Sequence, residues 1–153
     1  MILVRCLEAD REALRSVEID PAELADDGTD YLDKRVTKPW GSEKELYRNS
    51  ELSVWWLRIR TNSETSMHCH PNKTTLLMMV GGTAQLWTLS NVYELSAGDM
   101  VVIEKGAFHR TVSGGGNAVV LYEIESPVNK RDLVRLHDAY NRGQGYEGVE
   151  RAS

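Results

Sequence analysis

Residues 74–104 read TTLLMMVGGTAQLWTLSNVYELSAGDMVVIE. Four short apolar runs stand in this stretch: "TTLLMMV" (74–80), "TAQLWTL" (83–89), "VYEL" (92–95) and "MVVIE" (100–104). Turn residues separate them: Gly81-Gly82, then Ser90-Asn91, then Ser96-Ala97-Gly98-Asp99. Short runs rich in Val, Ile, Thr and aromatics, bounded in this way, read as strands. The pattern continues in both directions. "ELSVWWLRIR" (51–60) lies upstream, and "FHRTV" (108–112) and "AVVLYEIE" (118–125) lie downstream, with "SGGGN" between the last two. Many short strands at close spacing predict an all-β antiparallel sandwich or barrel. No helical period separates them, which argues against a parallel βαβ sheet.

The ends differ from this middle. "EADREALRSVEIDPAELADDGTD" (8–30) is rich in Glu, Asp and Ala. Asp10 is placed to cap a helix with Leu14 and Val17 on one side, and Asp20-Pro21 to open a second. Short helical turns packed on the outside of the β unit are expected here. After Pro127, "NKRDLVRLHDAYNRGQGYEG" reads as a short helix followed by a Gly-rich tail. The resulting organisation is an N-terminal helical extension (1–35), a β barrel (36–127) and a C-terminal helix and tail (128–153). There is no internal repeat and no linker marking a second domain.

Composition excludes some partners. The chain has 153 residues, 41% hydrophobic and 27% charged, with a formal net charge of −5. That leaves no global basic field for nucleic acid or an anionic membrane. No apolar run reaches the ~20 residues that span a bilayer as a helix. The start, "MILVRCLEADREALR", lacks a signal-peptide core, so a cytoplasmic location is expected. Cys6 and Cys69 form no disulfide framework.

The chemistry concentrates in "MHCHP" (67–71), which holds two of the four histidines. On a strand, residues two apart face the same side. His68 and His70 therefore share a face and Cys69 points the other way. Imidazole suits Zn, Fe, Ni and similar ions. A third histidine, His109, sits in "GDMVVIEKGAFHRTVS" where a strand, a Gly-containing turn and a second strand meet.

Residues 36–125 resemble the cupin superfamily of small double-stranded β-helix (jelly-roll) barrels. Its first motif runs Gly-x5-His-x-His-x3–4-Glu-x6-Gly, matched here by His68, His70 and Gly82, with Asn62 at the leading Gly and Thr75 at the Glu. Its second motif is matched by Gly98, Gly106 and His109, with Glu104 in place of a Pro and Ser113 in place of an Asn. A narrower resemblance lies in "KPWGSEKEL" (38–46), "GGTAQLW" (81–87) and "DLVRLHDAYNR" (132–142), which look like the C-terminal cupin domain of the bacterial mannose-6-phosphate isomerase type. This resemblance implies sugar-phosphate or nucleotide-sugar metabolism, often in surface-polysaccharide synthesis. It also implies a divalent metal (Zn, Fe, Mn or Ni) on His68, His70 and His109. The family's Glu would be a fourth ligand, and Thr75 is a poor one. Three protein ligands plus open positions is still a workable catalytic arrangement. By analogy a homodimer is expected.

Isomerising an aldose to a ketose moves a proton between adjacent carbons and requires a base beside a polarised carbonyl. Lys73, in the turn after His70, is a candidate to hold a phosphate or act as an acid, or else is a solvated turn lysine. Glu123 and Glu125 share one face of the last strand, and a carboxylate at the barrel mouth is a candidate base. Trp56, Arg58 and Arg60 alternate along "WWLRIR" and would supply a stacking and phosphate-binding face if that face lines the barrel. Lys130, Arg131 and Arg135 read either as tail residues of interest or as surface charge. Trp40 reads as a packing anchor, Glu104 as a turn residue and His137 as a surface residue. The leading functional expectation is a metal-dependent cupin acting on a phosphorylated or nucleotide-linked sugar, as an isomerase or epimerase. The alternatives are a three-His Fe(II) dioxygenase-type cupin and a non-enzymatic carbohydrate- or metabolite-binding cupin.

Overall fold

A computed structural model describes residues 1–144. The tail from residue 145 onward, including the Gly-rich stretch expected near the end, lies outside the described residues. In chain order the elements are β1 (Ile2–Val4), α1 (Glu8–Ser16), α2 (Pro21–Leu24), β2 (Arg35–Lys38), β3 (Gly41–Arg48), β4 (Ser53–Ile59), β5 (Met67–Cys69), β6 (Thr74–Gly81), β7 (Thr83–Thr88), β8 (Val92–Ser96), β9 (Met100–Ile103), β10 (His109–Ser113), β11 (Val119–Ser126) and β12 (Val134–His137). They form a seven-stranded sheet in the order β1-β9-β6-β11-β4-β3-β2 and a five-stranded sheet in the order β12-β5-β10-β7-β8. All the pairings between adjacent strands are antiparallel except β1 with β9.

Side-chain alternation closes the two sheets on each other. Along β4, Trp55, Leu57 and Ile59 turn inward; along β11, Val119 and Leu121 do so; along β6, Leu77 and Met79. With Leu86, Val101 and Ile103 they make one continuous core. Glycine is required where backbones approach closely. At Gly41 a Cβ would lie 1.9 Å from the Arg58 carbonyl oxygen. Gly82 has φ +79° at the β6–β7 turn, and a Cβ there would lie 2.7 Å from the Ala118 oxygen. Asn62, in the place expected of a glycine, takes φ +56°, a conformation asparagine tolerates.

The N-terminal helices pack on the outside, as expected. Ala13, Leu14, Val17, Ile19 and Leu24 cover a small second apolar cluster of Cys69, Phe108 and Val134. Asp20 caps α2 by accepting from the Ala22 N–H, with Pro21 at its first position. Asp10 is the third residue of α1 rather than its N-cap, and it caps the helix start by reaching back to the N-cap residue, Leu7. Its buried carboxylate accepts from the Leu7 N–H at 2.8 Å and from the Phe108 N–H at 2.9 Å, tying the helix to the turn that carries His109.

Two features depart from the sequence expectation. The extension begins with a strand, β1, added parallel to the edge of β9. The expected C-terminal helix is a strand: β12 pairs antiparallel with β5, Val134 opposite Cys69 and Arg135 opposite His68. "DLVRLH" suits either conformation locally. The three-residue β5 has an open edge, and Val134 has an apolar cluster to fill, so tertiary pairing decides.

Candidate functional site

The short β5 and the start of β10 bring the histidines together. His68 pairs directly with His109 across the ladder, and His70 follows one residue past the end of β5. Ring centroids are 4.5 Å apart for His68 and His109, 5.1 Å for His68 and His70, and 5.7 Å for His70 and His109. One ligand atom from each lies within 4.8 Å of the others, and all three side chains are buried.

Main-chain carbonyls orient all three rings. His68 Nδ1 lies 2.8 Å from the Ser66 oxygen, His70 Nδ1 2.6 Å from the Asp132 oxygen, and His109 Nδ1 3.0 Å from the Ala107 oxygen. A carbonyl only accepts, so each Nδ1 carries the hydrogen and each Nε2 is left with its lone pair. Burial is the first cause holding every ring neutral: it pushes His68 and His70 well below the ordinary imidazole value, and His109 down to about 4. His70 Nε2 is buried without a hydrogen-bond partner among the described residues, and so is Thr75 Oγ1. Neutral imidazoles, fixed in one tautomer by their far nitrogen and with a converging, unsatisfied donor atom, fit a divalent metal ion. His68, His70 and His109 are the residues that would hold it.

Carboxylates stand next to the triad. Glu125, on the inner face of β11, is the cross-strand partner of Thr75. Glu123 and Glu125 each offer an oxygen that groups with His70 within 4.8 Å. Two lysines balance them. Lys73 Nζ meets Glu125 Oε1 at 2.7 Å, both side chains almost fully buried. Lys130 Nζ lies 3.6 Å from Glu123, 3.8 Å from Glu125 and Glu43, and 3.8 Å above the Trp55 ring. Burial, then the charge of Glu125, raise Glu123 to about 7, against the pull of Lys130. Burial also acts to raise Glu125, but Lys130 and Lys73 outweigh it and hold this carboxyl below its ordinary value.

The cavity inside the barrel mouth measures about 50 Å³. Besides the histidines, Lys38, Glu43, Glu123, Lys130, Arg135 and Arg142 line it. Lys73 is not among its lining residues; its ammonium is spent on Glu125. The expected aromatic and basic wall is also displaced. Trp55, Leu57 and Ile59 take the inward positions of β4, so Trp56, Arg58 and Arg60 fall on the outside. Arg58 and Arg60 are exposed, and Trp56 carries Arg35 at 6.0 Å from its ring centre. Parity alone makes this correction: a run apolar on both faces does not say which face is inner.

The cations that do reach the cavity come from the two ends of the barrel. Lys38 precedes Pro39-Trp40-Gly41; Arg135 and Arg142 belong to "DLVRLHDAYNR". Arg135 is buried, as is most of Lys130, whereas Arg131 is on the surface side and pairs with Asp27. The signal that could have found them was the pair of end segments themselves. Cys69 points away from the histidines into its apolar cluster, and burial pushes its thiol up. Trp40 is buried and packs in the core, Glu104 accepts from the Cys6 N–H within the turn, and His137 is exposed.

Residues 25–138 match the family described as Mannose-6-phosphate isomerase C-terminal. The chain belongs to this family. Its relatives include mannose-1-phosphate guanylyltransferase ManC of Salmonella typhimurium, 25% identical over 140 residues, covering 89% of this chain and 29% of that protein. Another is the xanthan biosynthesis protein XanB of Xanthomonas campestris, 24% identical over 111 residues, covering 71% of this chain and 24% of the relative. The chain thus spans less than a third of the length of these relatives. Among solved structures, the capsular polysaccharide assembling protein CapF of Staphylococcus aureus superposes with a TM-score of 0.61 at 17% identity, covering 68% of this chain and 34% of that one. KdgF from Halomonas gives 0.57 at 18% identity, covering 66% and 88%. These superpositions show the fold: a family member built as a cupin double-stranded β-helix.

Proposed function

We propose that this protein is a metal-dependent cupin acting on a sugar phosphate or a nucleotide-linked sugar, as an isomerase or epimerase in surface-polysaccharide metabolism, in the cytoplasm. The observation that carries this reading is the meeting, in one buried cavity, of three neutral imidazoles with inward lone pairs and a carboxyl, Glu123, raised to about 7. Relatives named for mannose-1-phosphate guanylyl transfer and xanthan biosynthesis support the sugar class. A divalent ion on His68, His70 and His109 would supply polarisation of the sugar's carbonyl and hydroxyl oxygens. Glu123 is the base in this proposal. A carboxyl raised by burial and by the neighbouring Glu125 holds a proton more readily, as a base that must take one and return it requires. Lys130 steadies the charge Glu123 acquires, and Lys73 fixes Glu125 beside it.

A coupled assay with mannose-6-phosphate, fructose-6-phosphate and a panel of further sugar phosphates tests the reading, using protein loaded in turn with Zn, Fe, Mn and Ni. The expected result is turnover of at least one sugar phosphate, lowered ~100-fold or more by Glu123→Gln. No turnover with any metal across the panel would overturn it. Thr75 favours one second reading, because the triad then carries no carboxylate of its own motif: a three-His Fe(II) oxygenase, which would show oxygen uptake after anaerobic iron loading.

A homodimer is part of the proposal. The outer face of the seven-stranded sheet carries Val54, Trp56, Leu76, Met78, Tyr122 and Ile124 in adjacent registers, all only half-buried. Light scattering is expected to give twice the chain mass; a monomer at micromolar concentration would refute this.

A further inference from the structure

The metal motif does not absorb the two end segments of the barrel, yet they converge on the same cavity. Lys38 ends β2, Arg135 lies on β12, and Arg142 follows it in the tail. Arg135 is the direct cross-strand partner of His68. Opposite residues on paired strands project to the same side of the sheet, so this guanidinium and a triad imidazole enter one interior. Arg135 and Arg142 also line a shallow groove of about 330 Å³ on the outer surface, with His137, Asp138, Asn141 and Gln144. The two arginines therefore stand where the buried cavity meets the surface, within reach of a ligand arriving from outside.

We infer that Lys38, Arg135 and Arg142 form the subsite for the phosphate group of the ligand, with the sugar extending from it toward His68, His70 and His109. The inference rests on the sugar-phosphate reading above and assigns the end of the site that recognises the anion. Four cations border this cavity, Lys130 with the three named, and Glu43, Glu123 and Glu125 line it with them. Glu43 lies 3.8 Å from Lys38 and equally far from Lys130, so it is shared. Asp138 is forked by Arg142, with Nε to Oδ2 at 3.0 Å and Nη2 to Oδ1 at 2.6 Å. Asp138 thereby sets the plane of the Arg142 guanidinium. Burial pushes Lys38 down to about 8; Glu43 opposes the shift, and Lys130, Arg135 and Arg142 add to it. A phosphate brings charge and several acceptor oxygens to these donors, and arginine forks suit its geometry. The basic residues of the outer face, Arg58 and Arg60, have no such access, because the β4 backbone separates them from the cavity.

Calorimetric titration of the full chain, metal-loaded, tests the subsite with four probes: mannose-6-phosphate, mannose, inorganic phosphate and a nucleoside diphosphate sugar. Wild-type protein is expected to bind at least one phosphate-bearing probe more tightly than mannose. Whichever of the sugar phosphate and the diphosphate sugar binds more tightly identifies the source of the phosphate. Lys38→Met and Arg142→Gln should each weaken that affinity about ten- to a hundredfold, and Arg58→Gln should leave it unchanged. Arg142→Lys keeps the charge and loses the fork. It should fall between wild type and Arg142→Gln, and it stands in if either truncation fails to give a cooperative melt. Wild-type affinity for the phosphate probe in both Lys38→Met and Arg142→Gln would overturn the subsite while leaving the sugar-phosphate reading in place. A wild-type protein that binds no phosphate-bearing probe would overturn that reading itself, and the subsite with it.

Discussion

Replacing His70 with alanine is expected to abolish metal retention. Protein purified without a histidine tag and loaded with Zn should lose ~100-fold or more in affinity, because altering even a partner that merely orients a ligand commonly costs ten- to a hundredfold. His70 is the most telling of the three histidines. Its Nε2 is buried with no hydrogen-bond partner among the described residues, and His70 groups both with His68 and His109 and with Glu123 and Glu125. Elemental analysis and chelator competition measure the loss directly. Stability gives a second readout independent of turnover. An ion that binds only the folded chain raises stability by about 2.7 kcal/mol when present at a hundred times its dissociation constant. Chelator should therefore lower the melting temperature of the wild type and leave that of His70→Ala unmoved. Wild-type metal content in the variant would refute the assignment of His68, His70 and His109 as a metal site.

The second large effect concerns stability alone. Lys73→Met should destabilise the chain by about 3–5 kcal/mol, because it strands a buried carboxylate. Lys73 and Glu125 are 0% and 1% exposed, and they meet at 2.7 Å. Lys130 lies 3.8 Å from Glu125 and is already shared with Glu43 and Glu123, so it does not replace the lost partner in full. The double variant Lys73→Met/Glu125→Leu should recover much of the loss, since an apolar pair of similar volume carries no desolvation cost. Urea unfolding of the wild type, Lys73→Met, Glu125→Leu and the double variant closes the cycle. If the single variant unfolds at the wild-type midpoint, the pair is not the buried ion pair described.

Much of this site is legible in the sequence, and the residues show why the remainder is not. His68 and His70 stand out because a strand puts alternate residues on one face, and the resemblance to the cupin motifs is what joins His109 to them. The parity of β4 cannot be found this way. Trp55 and Trp56 are both large and apolar, and only burial of Trp55, Leu57 and Ile59 shows that Arg58 faces out. The tail misleads for another reason: "DLVRLH" carries no strong local preference, and the partner that makes it a strand lies more than sixty residues earlier. Lys130 is hardest of all. Nothing near it in the chain says that it enters the barrel; the carboxylates that draw it inward sit on β3 and β11.

The three imidazoles take their orientation from the peptide carbonyls of Ser66, Ala107 and Asp132. A carbonyl is present whatever side chain its residue carries. The aim of the three rings is therefore set by the course of the main chain, which the side chains at these positions help to hold: buried Asp132 accepts from Asn72 N–H and from Asn72 Nδ2, each at 2.9 Å, and Ser66 and Ala107 are buried. The histidines thus converge only as far as the loops that carry Ser66, Ala107 and Asp132 keep their places, which couples the aim of the site to the folding of three separate segments.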